Sequence, residues 1–204
     1  MKVILVGGFL GSGKTSVVLQ MARYLTGVAD TADSAAVSGT AKVVIIENEI
    51  GEVGIDDRVL EASGLQVQGL FSGCVCCTLS GELVTTLRQI KETINPKYLI
   101  MEATGVAYPQ TIREVLDEAF TNLDCTICCI TDAGRWQRLS TALENVIRPQ
   151  LSGADLILIN KIDLVDAAAF TAVETSIRAI NGQAACFPVS ALKPVDTAIW
   201  DRLR

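Results

Sequence analysis

The chain of 204 residues contains no histidine. Imidazole is the usual general base near neutral pH and the commonest metal ligand in proteins. Its absence excludes histidine-based acid–base catalysis, and any metal site has to be built from thiolates, carboxylates, carbonyl oxygens or water. Seven cysteines are available as soft ligands, and 23 aspartates and glutamates are available as hard ones.

The sequence also lacks a basic excess and a long apolar run. Seventeen lysines and arginines against 23 acidic residues give a formal charge of −6, which argues against a nucleic-acid partner. No segment reaches the roughly 18 uninterrupted apolar residues of a membrane span, so we expect no membrane partner. An odd number of cysteines fits poorly with a disulfide framework, and we therefore expect a cytoplasmic protein with reduced thiols.

Half of the residues are hydrophobic, and the length suits one domain over residues 1–204. Strand-length apolar runs occur at Lys2–Val6, Lys42–Ile46, Lys97–Met101, Thr126–Thr131, Asp155–Asn160 and Ala184–Val189. They alternate with helical patterns at Lys14–Leu25, Gly81–Ile94, Gln110–Phe120, Leu139–Ile147 and Ala167–Ile180. Continuous apolar runs are typical of strands buried on both faces, so the pattern predicts a three-layer α/β fold with a mostly parallel sheet. The small, polar segment Asp30–Ala41 is predicted to be a mobile surface connection.

A phosphate-loop (P-loop) pattern, G-x-x-x-x-G-K-[ST], runs from Gly8 to Thr15, between the first strand and the first helix. Its glycines allow backbone N–H groups to turn toward a phosphate at a helix N-terminus. The pattern predicts that Lys14 reaches the β- and γ-phosphates and that the Thr15 hydroxyl binds Mg²⁺. The predicted phosphate-binding residues are Gly8, Gly11, Ser12, Gly13, Lys14, Thr15 and Ser16.

The tetrapeptide Asn160-Lys161-Ile162-Asp163 follows a predicted strand, where ligands bind in open α/β sheets. Asp163 can accept two hydrogen bonds from guanine, whereas adenine offers no such donor pair. After the next strand, Ser190-Ala191-Leu192 can present a backbone N–H to guanine O6. These features favour GTP over ATP, with Asn160, Lys161, Asp163, Ser190 and Ala191 as the base-binding residues. Taken alone, the tetrapeptide is a weak pattern, and its alternative interpretation is a surface turn that ends a strand, with Asp163 as a helix cap.

Three thiols lie within four residues, at Cys74, Cys76 and Cys77. Such a set suits Zn²⁺ or another thiophilic ion, with a fourth ligand from elsewhere. Without histidine, that ligand is a carboxylate, a fourth thiol or water, and the candidate carboxylates are Glu47, Glu49 and Glu52. From spacing alone, metal binding and buried structural cysteines are about equally favoured.

The remaining cysteines are predicted to be core residues. Cys125, Cys128 and Cys129 lie in an apolar run, and Cys186 lies in the last predicted strand, so all four are predicted to pack against helices.

Two carboxylates follow predicted strands. Glu102 follows the predicted strand Lys97–Met101, and a carboxylate at that strand end, beside a P-loop, can hold Mg²⁺ through water or position the attacking water. Asp132 is predicted to cap a turn or a helix rather than to act chemically.

Together these motifs resemble the CobW/HypB/UreG family of P-loop GTPases, most closely its CobW-like branch. The matching segments occur in the family's order at Gly7–Thr15, Glu47–Glu49, Gly51–Asp56, Gly73–Cys77, Glu102–Gly105 and Asn160–Asp163. The resemblance implies a G-domain type of P-loop NTPase fold and a slow GTPase that acts as a metallochaperone or cofactor-insertion factor, with Lys14 and Glu102 as its catalytic residues. It also implies zinc or a similar ion on Cys74, Cys76, Cys77 and Glu47, and Mg²⁺ on Thr15 and Glu102.

The resemblance further implies a client metalloenzyme or cofactor-pathway protein as partner, a possible nucleotide-dependent homodimer, and a segment containing Glu49 and Asp56 that responds to the γ-phosphate. Unlike typical CobW-like proteins, the sequence shows no C-terminal CobW-type domain and no histidine-rich metal store. Arg135 and Arg138 are the candidates for an arginine finger. The alternative function is a GTPase regulator of a partner enzyme with structural or redox-sensing cysteines; a small-molecule kinase is a third.

Overall fold

The computed structural model describes residues 1–27, 43–47, 65–69, 80–105 and 107–204. Its strands are β1 (Lys2–Gly7), β2 (Val43–Glu47), β3 (Leu65–Gly69), β4 (Tyr98–Glu102), β5 (Asp124–Asp132), β6 (Leu156–Asn160) and β7 (Ala185–Pro188). Its helices are α1 (Lys14–Thr26), α2 (Ser80–Thr93), α3 (Pro109–Ala119), α4 (Trp136–Ala142), α5 (Glu144–Ser152), α6 (Ala167–Ile180) and α7 (Thr197–Asp201), with a 3₁₀ turn at Ile162–Leu164. The predicted connection Asp30–Ala41 and the candidates Glu49, Glu52, Asp56, Cys74, Cys76 and Cys77 lie outside the described residues.

The described strands form one seven-stranded sheet in the order β3-β2-β4-β1-β5-β6-β7. Every neighbouring pair is parallel. After β1 the chain builds one side of the sheet with β2, β3 and β4, and it then crosses β1 to build the other side. The P-loop strand is therefore central, and the carboxyl ends of β4 and β5 flank the point where it ends. In an open α/β sheet this is where ligands bind.

Two apolar layers enclose the sheet. Side chains alternate between the faces of a strand, so Val3 and Leu5 of β1 enter one cluster, which includes residues of α2 to α6. Ile4 and Val6 enter the other cluster, which includes residues of α1 and α7. All four side chains are fully buried. The predicted three-layer α/β fold is confirmed.

The described helices are short. The two longest, α2 and α6, have 14 residues each, or about 21 Å at 1.5 Å per residue, against about 30 Å of bilayer hydrocarbon. In the part of the chain that the structure covers, no helix has the length and hydropathy that a membrane crossing requires.

All six predicted strands are confirmed, and their ends differ from the predicted ends by two residues or fewer. The sequence missed β3, which alternates apolar residues with glutamine and is the first strand in the order of the described sheet, next to β2. It also missed α7, whose five residues are too few to show a helical period.

The single helix predicted at Leu139–Ile147 is wrong. The structure contains two helices that are separated at Leu143, whose backbone angles of φ −130° and ψ 35° are not helical. The break turns the chain so that Trp136 of α4 and Ile147 of α5 both reach the same apolar cluster. A periodicity argument could not detect it, because apolar residues continue through the break.

The cysteines of β5 belong to the core, as predicted. Cys128 and Cys129 are fully buried, and burial raises the pKa of the Cys129 thiol to about 12 and that of Cys128 as well. Cys125 and Cys186 are partly buried and pack against the cluster that contains Cys129. Burial also raises the pKa of the Cys125 and Cys186 thiols. A raised pKa disfavours the thiolate, which is the form that ligates a metal.

Candidate nucleotide-binding site

Glycines shape the P-loop at three positions with positive φ: Gly8 (137°), Gly11 (73°) and Gly13 (92°). Space is restricted as well, because a Cβ atom on Gly8 would lie 2.2 Å from the Ile130 carbonyl oxygen, and one on Gly13 would lie 2.4 Å from Asn160 Nδ2. Gly13 is the N-cap of α1 and provides no side-chain cap. The first N–H groups of this helix are thus available to an anion.

Three consecutive carbonyl groups of the P-loop accept hydrogen bonds from side chains outside it. Arg135 Nη2 lies 2.8 Å from Leu10 O, Lys161 Nζ lies 2.7 Å from Gly11 O, and Asn160 Nδ2 lies 2.8 Å from Ser12 O. In a planar trans peptide the N–H points opposite to the carbonyl. The Gly11 N–H shares a peptide group with Leu10 O, and the Gly13 N–H shares one with Ser12 O. Both N–H groups are therefore directed away from the side chains that bind these carbonyls.

A buried carboxylate holds two of the three donors. Asp132, with its side chain 2% exposed, accepts bonds from Arg135 Nε and Lys161 Nζ, both 2.8 Å from Oδ2. Burial alone would raise the pKa of Asp132, but the hydrogen bonds and charges of Lys161 and Arg135 outweigh it and hold the pKa below its ordinary value. Asp132 also accepts the Arg135 backbone N–H at 3.1 Å, which confirms the predicted turn cap. The sequence analysis missed the ion pairs, although a charged residue that ends a buried strand was a signal for them.

Asn160 joins the loops that follow β1, β6 and β7. Its side chain donates to Ser12 O, and its Oδ1 accepts the N–H groups of Lys161 at 2.8 Å and Ala191 at 2.9 Å. Strand register places it opposite Asp132. The Ala191 N–H is thus engaged with Asn160, and the predicted base-binding segments form one hydrogen-bonded unit with the P-loop.

Asp163 lies in the 3₁₀ turn after β6 and is exposed. The alternative interpretation of Asp163 as a helix cap is wrong, because Asp166 occupies the N-cap of α6 and accepts the Ala169 N–H at 2.8 Å. The Asp163 carboxylate is therefore not needed to cap α6.

On the other side of β1, Glu102 ends β4 and is 3% exposed. Thr15 Oγ1 lies 3.4 Å from each of its carboxylate oxygens, and Lys14 Nζ lies 3.9 Å from Oε1. A hydroxyl and a carboxylate are hard oxygen ligands of the kind that Mg²⁺ prefers. The residues present therefore fit this ion. Ser16, the next residue of α1, is exposed.

Glu47 ends β2, and its Cα is the register partner of Glu102; its side chain lies outside what the structure describes, as do the three clustered cysteines. The described residues contain no group of three or more cysteines and carboxylates placed to hold a metal ion. Of the two arginine-finger candidates, Arg135 is engaged with Leu10 and Asp132, and Arg138 is exposed on α4.

Replacing Gly8 with alanine should destabilise the fold more than replacing Gly27, which is the matched control. Both glycines have positive φ. Among the described residues nothing lies within 4 Å of a Cβ on Gly27, whereas a Cβ on Gly8 would overlap Ile130 O. We expect Gly27→Ala to lower the free energy of unfolding by about 1–2 kcal/mol, and Gly8→Ala to lower it by more. Urea unfolding measures both, and equal losses would contradict the packing described here.

The comparisons with known proteins agree with this geometry. Residues 2–188 match the family model described as CobW/HypB/UreG, nucleotide-binding domain. Zinc chaperone YeiR of Escherichia coli is 32% identical over 163 residues, covering 78% of this chain and 46% of that protein. Zinc chaperone YjiA of Escherichia coli is 29% identical over 199 residues, covering 92% of this chain and 57% of that protein. The chain thus spans about half the length of these relatives.

Solved structures show the same fold. The crystal structure of Zn(II)-bound YjiA GTPase from Escherichia coli has a TM-score of 0.67 at 22% identity, covering 98% of this chain and 60% of that one. The structure of HypB from Helicobacter pylori in complex with nickel has a TM-score of 0.64 at 16% identity, covering 100% of this chain and 84% of that one. From the family match over residues 2–188 and the P-loop built at the end of β1, we conclude that the chain belongs to the CobW/HypB/UreG family through its nucleotide-binding domain.

Proposed function

We propose that this chain is a cytoplasmic GTP-binding and GTP-hydrolysing metallochaperone or cofactor-insertion factor. It would couple its nucleotide state to metal binding at Cys74, Cys76 and Cys77. One observation carries the nucleotide part: Asn160 and Lys161, which begin the guanine motif, hydrogen-bond the P-loop carbonyls. The base-binding loop and the phosphate-binding loop are therefore parts of one site. The metal part is supported by relatives that are named zinc chaperones.

For phosphate binding and hydrolysis, we assign charge neutralisation to Lys14, which is 6% exposed beside Glu102. Thr15 and Glu102 would hold Mg²⁺, which when bound would neutralise phosphate charge. Glu102 would also orient the attacking water. The Arg135 guanidinium is engaged at Leu10 O and Asp132, so we do not assign it as an arginine finger, and we expect slow intrinsic turnover.

For the base, we assign selectivity to Asp163, whose exposed carboxylate would accept two hydrogen bonds from guanine. ATP would leave this carboxylate unpaired. Because the Ala191 N–H is engaged with Asn160, a neighbouring N–H of the Ser190–Leu192 segment would donate to guanine O6.

For the metal, we propose that Cys74, Cys76 and Cys77 bind zinc as cargo, with Glu47 as the oxygen ligand. Support for coupling to the nucleotide comes from strand register, which pairs Glu47 of β2 with Glu102 of β4. Adjacent strands lie about 4.8 Å apart, so the proposed zinc site at Glu47 would adjoin the proposed Mg²⁺ site at Glu102. The client would be a metalloenzyme or a cofactor-pathway protein, and the GTP-bound form would be the one to dimerise.

Changing Asp163 to asparagine should weaken GTP binding by about 100-fold, because asparagine offers guanine one uncharged acceptor oxygen in place of two charged ones. The same variant should gain affinity for xanthosine triphosphate, since an asparagine amide can donate to the extra xanthine oxygen. Asp166→Asn, three residues away at the N-cap of α6, is the matched control, because asparagine caps helices as well as aspartate does. Nucleotide titration would contradict the assignment if both variants bound GTP equally.

Changing Cys76 to serine should remove bound zinc while nucleotide binding remains. Cys125→Ser is the matched control, since Cys125 packs against the core, and it should keep the zinc content of the wild-type chain. Metal analysis of reduced protein, paired with GTP titration, measures both properties. If Cys76→Ser retained its zinc, the metallochaperone proposal would fail and the alternative, a GTPase regulator of a partner enzyme, would be favoured.

A further inference from the structure

A small cavity lies behind the P-loop, enclosed by the end of β5, by α4 and by α5. The space open to the centre of a water molecule is about 20 Å³. Its lining is mainly apolar, from residues such as Ile130, Leu139 and Ile147. A cavity needs roughly 10–15 Å³, measured in this way, to hold one water molecule.

Five polar side chains also line this cavity, and two of them, Asp132 and Gln150, are hydrogen-bonded to other groups of the protein. The other three are Ser12 of the P-loop, Thr131 of β5 and Trp136 of α4. Their exposures are 1%, 7% and 2%. Ser12 Oγ, Thr131 Oγ1 and Trp136 Nε1 are each buried without a hydrogen-bond partner among the residues that the structure describes. Buried polar atoms are nearly always paired with protein or with ordered water, so three such atoms around one cavity indicate a common ligand.

Strand periodicity makes Thr131 unusual. Ile127 and Cys129, at alternate positions of β5, enter the apolar cluster that contains Trp136 and Ile147. The same face at position 131 carries a hydroxyl in a place where an apolar side chain would pack. A hydroxyl buried there is unfavourable unless it is hydrogen-bonded.

We propose that a water molecule binds in this cavity and bridges Ser12, Thr131 and Trp136. Water can accept one hydrogen bond from the indole N–H and donate one to each hydroxyl, which matches the three atoms with the two to four bonds that buried waters make. The ligand is neutral and of the size of one water molecule.

The bridge joins the P-loop to β5 and α4 from behind. A Cβ on Gly8 would lie 3.1 Å from Ser12 Oγ, so this hydroxyl lies directly beside the turn that begins the loop. Thr131 and Trp136 are therefore positioning residues for the P-loop. This consequence rests on the proposed nucleotide binding, whereas the water site itself does not.

The water is tested in nucleotide-free protein by NMR, as a cross-peak between bound water and the indole N–H of Trp136, assigned with Trp136→Phe. We expect the cross-peak in the wild-type chain and in Thr131→Ser, which keeps the hydroxyl, and we expect its loss in Thr131→Val. Its absence from the wild-type chain, or its persistence unchanged in Thr131→Val, would overturn the site.

The positioning of the P-loop by the bridging water is tested by GDP titration of the Thr131 variants. Thr131→Val should weaken GDP binding about fivefold, as expected for one hydrogen bond, and Thr131→Ser should restore it. Thr141→Val, at an exposed threonine of α4, should bind as the wild type does. Circular dichroism checks that each variant is folded.

The two titration failures are distinguishable. Wild-type affinity in a folded Thr131→Val would overturn the positioning role of the bridge. A wild-type chain that shows the water cross-peak but binds no guanine nucleotide would contradict the proposed function and leave the water site standing.

Discussion

The carboxylate of Asp132 holds the architecture of the site together. It is buried at the end of β5, and its charge is tolerated there because Lys161, Arg135 and a backbone N–H all donate to it. Each of the two cations also donates to a P-loop carbonyl. One acid therefore sets the positions of both donors, and through them the orientation of the peptide groups that precede α1. Asn160 binds the next carbonyl, that of Ser12, so side chains of the protein itself fix the orientation of these three peptide groups.

This arrangement connects the proposed base-binding loop to the P-loop. Asn160 and Lys161 begin the loop that contains Asp163, so a displacement of that loop is transmitted to Gly11 and Ser12. The proposed Mg²⁺ site is built separately, from Glu102 at the end of β4 and from Lys14 and Thr15 at the start of α1. β2 adjoins β4, and Glu47 is in register with Glu102. A displacement of Glu102 would therefore act on the neighbouring strand end, which carries the proposed zinc ligand Glu47.

Local patterns were enough to predict most of the fold and the parts of the site. Continuous apolar runs identified six strands, whereas β3 was missed because its glutamines mimic a polar loop. The P-loop was predictable because eight consecutive residues carry it. The hydrogen bonds from Arg135 and Lys161 to the P-loop were not predictable, because Arg135 lies 125 residues from Leu10 and Lys161 lies 150 residues from Gly11. Only the parallel register of the central strands brings these residues to one edge, and no single-sequence pattern encodes that register.

The central claim is that nucleotide state and metal binding are coupled through adjacent strand ends. The direct test is the zinc affinity of reduced protein, measured by competition titration with and without Mg²⁺ and a non-hydrolysable GTP analogue. The account predicts that the two affinities differ, by about 5- to 150-fold if the coupling is typical, and that zinc changes the affinity for the analogue by the same factor. Identical zinc affinities in the two conditions would contradict it.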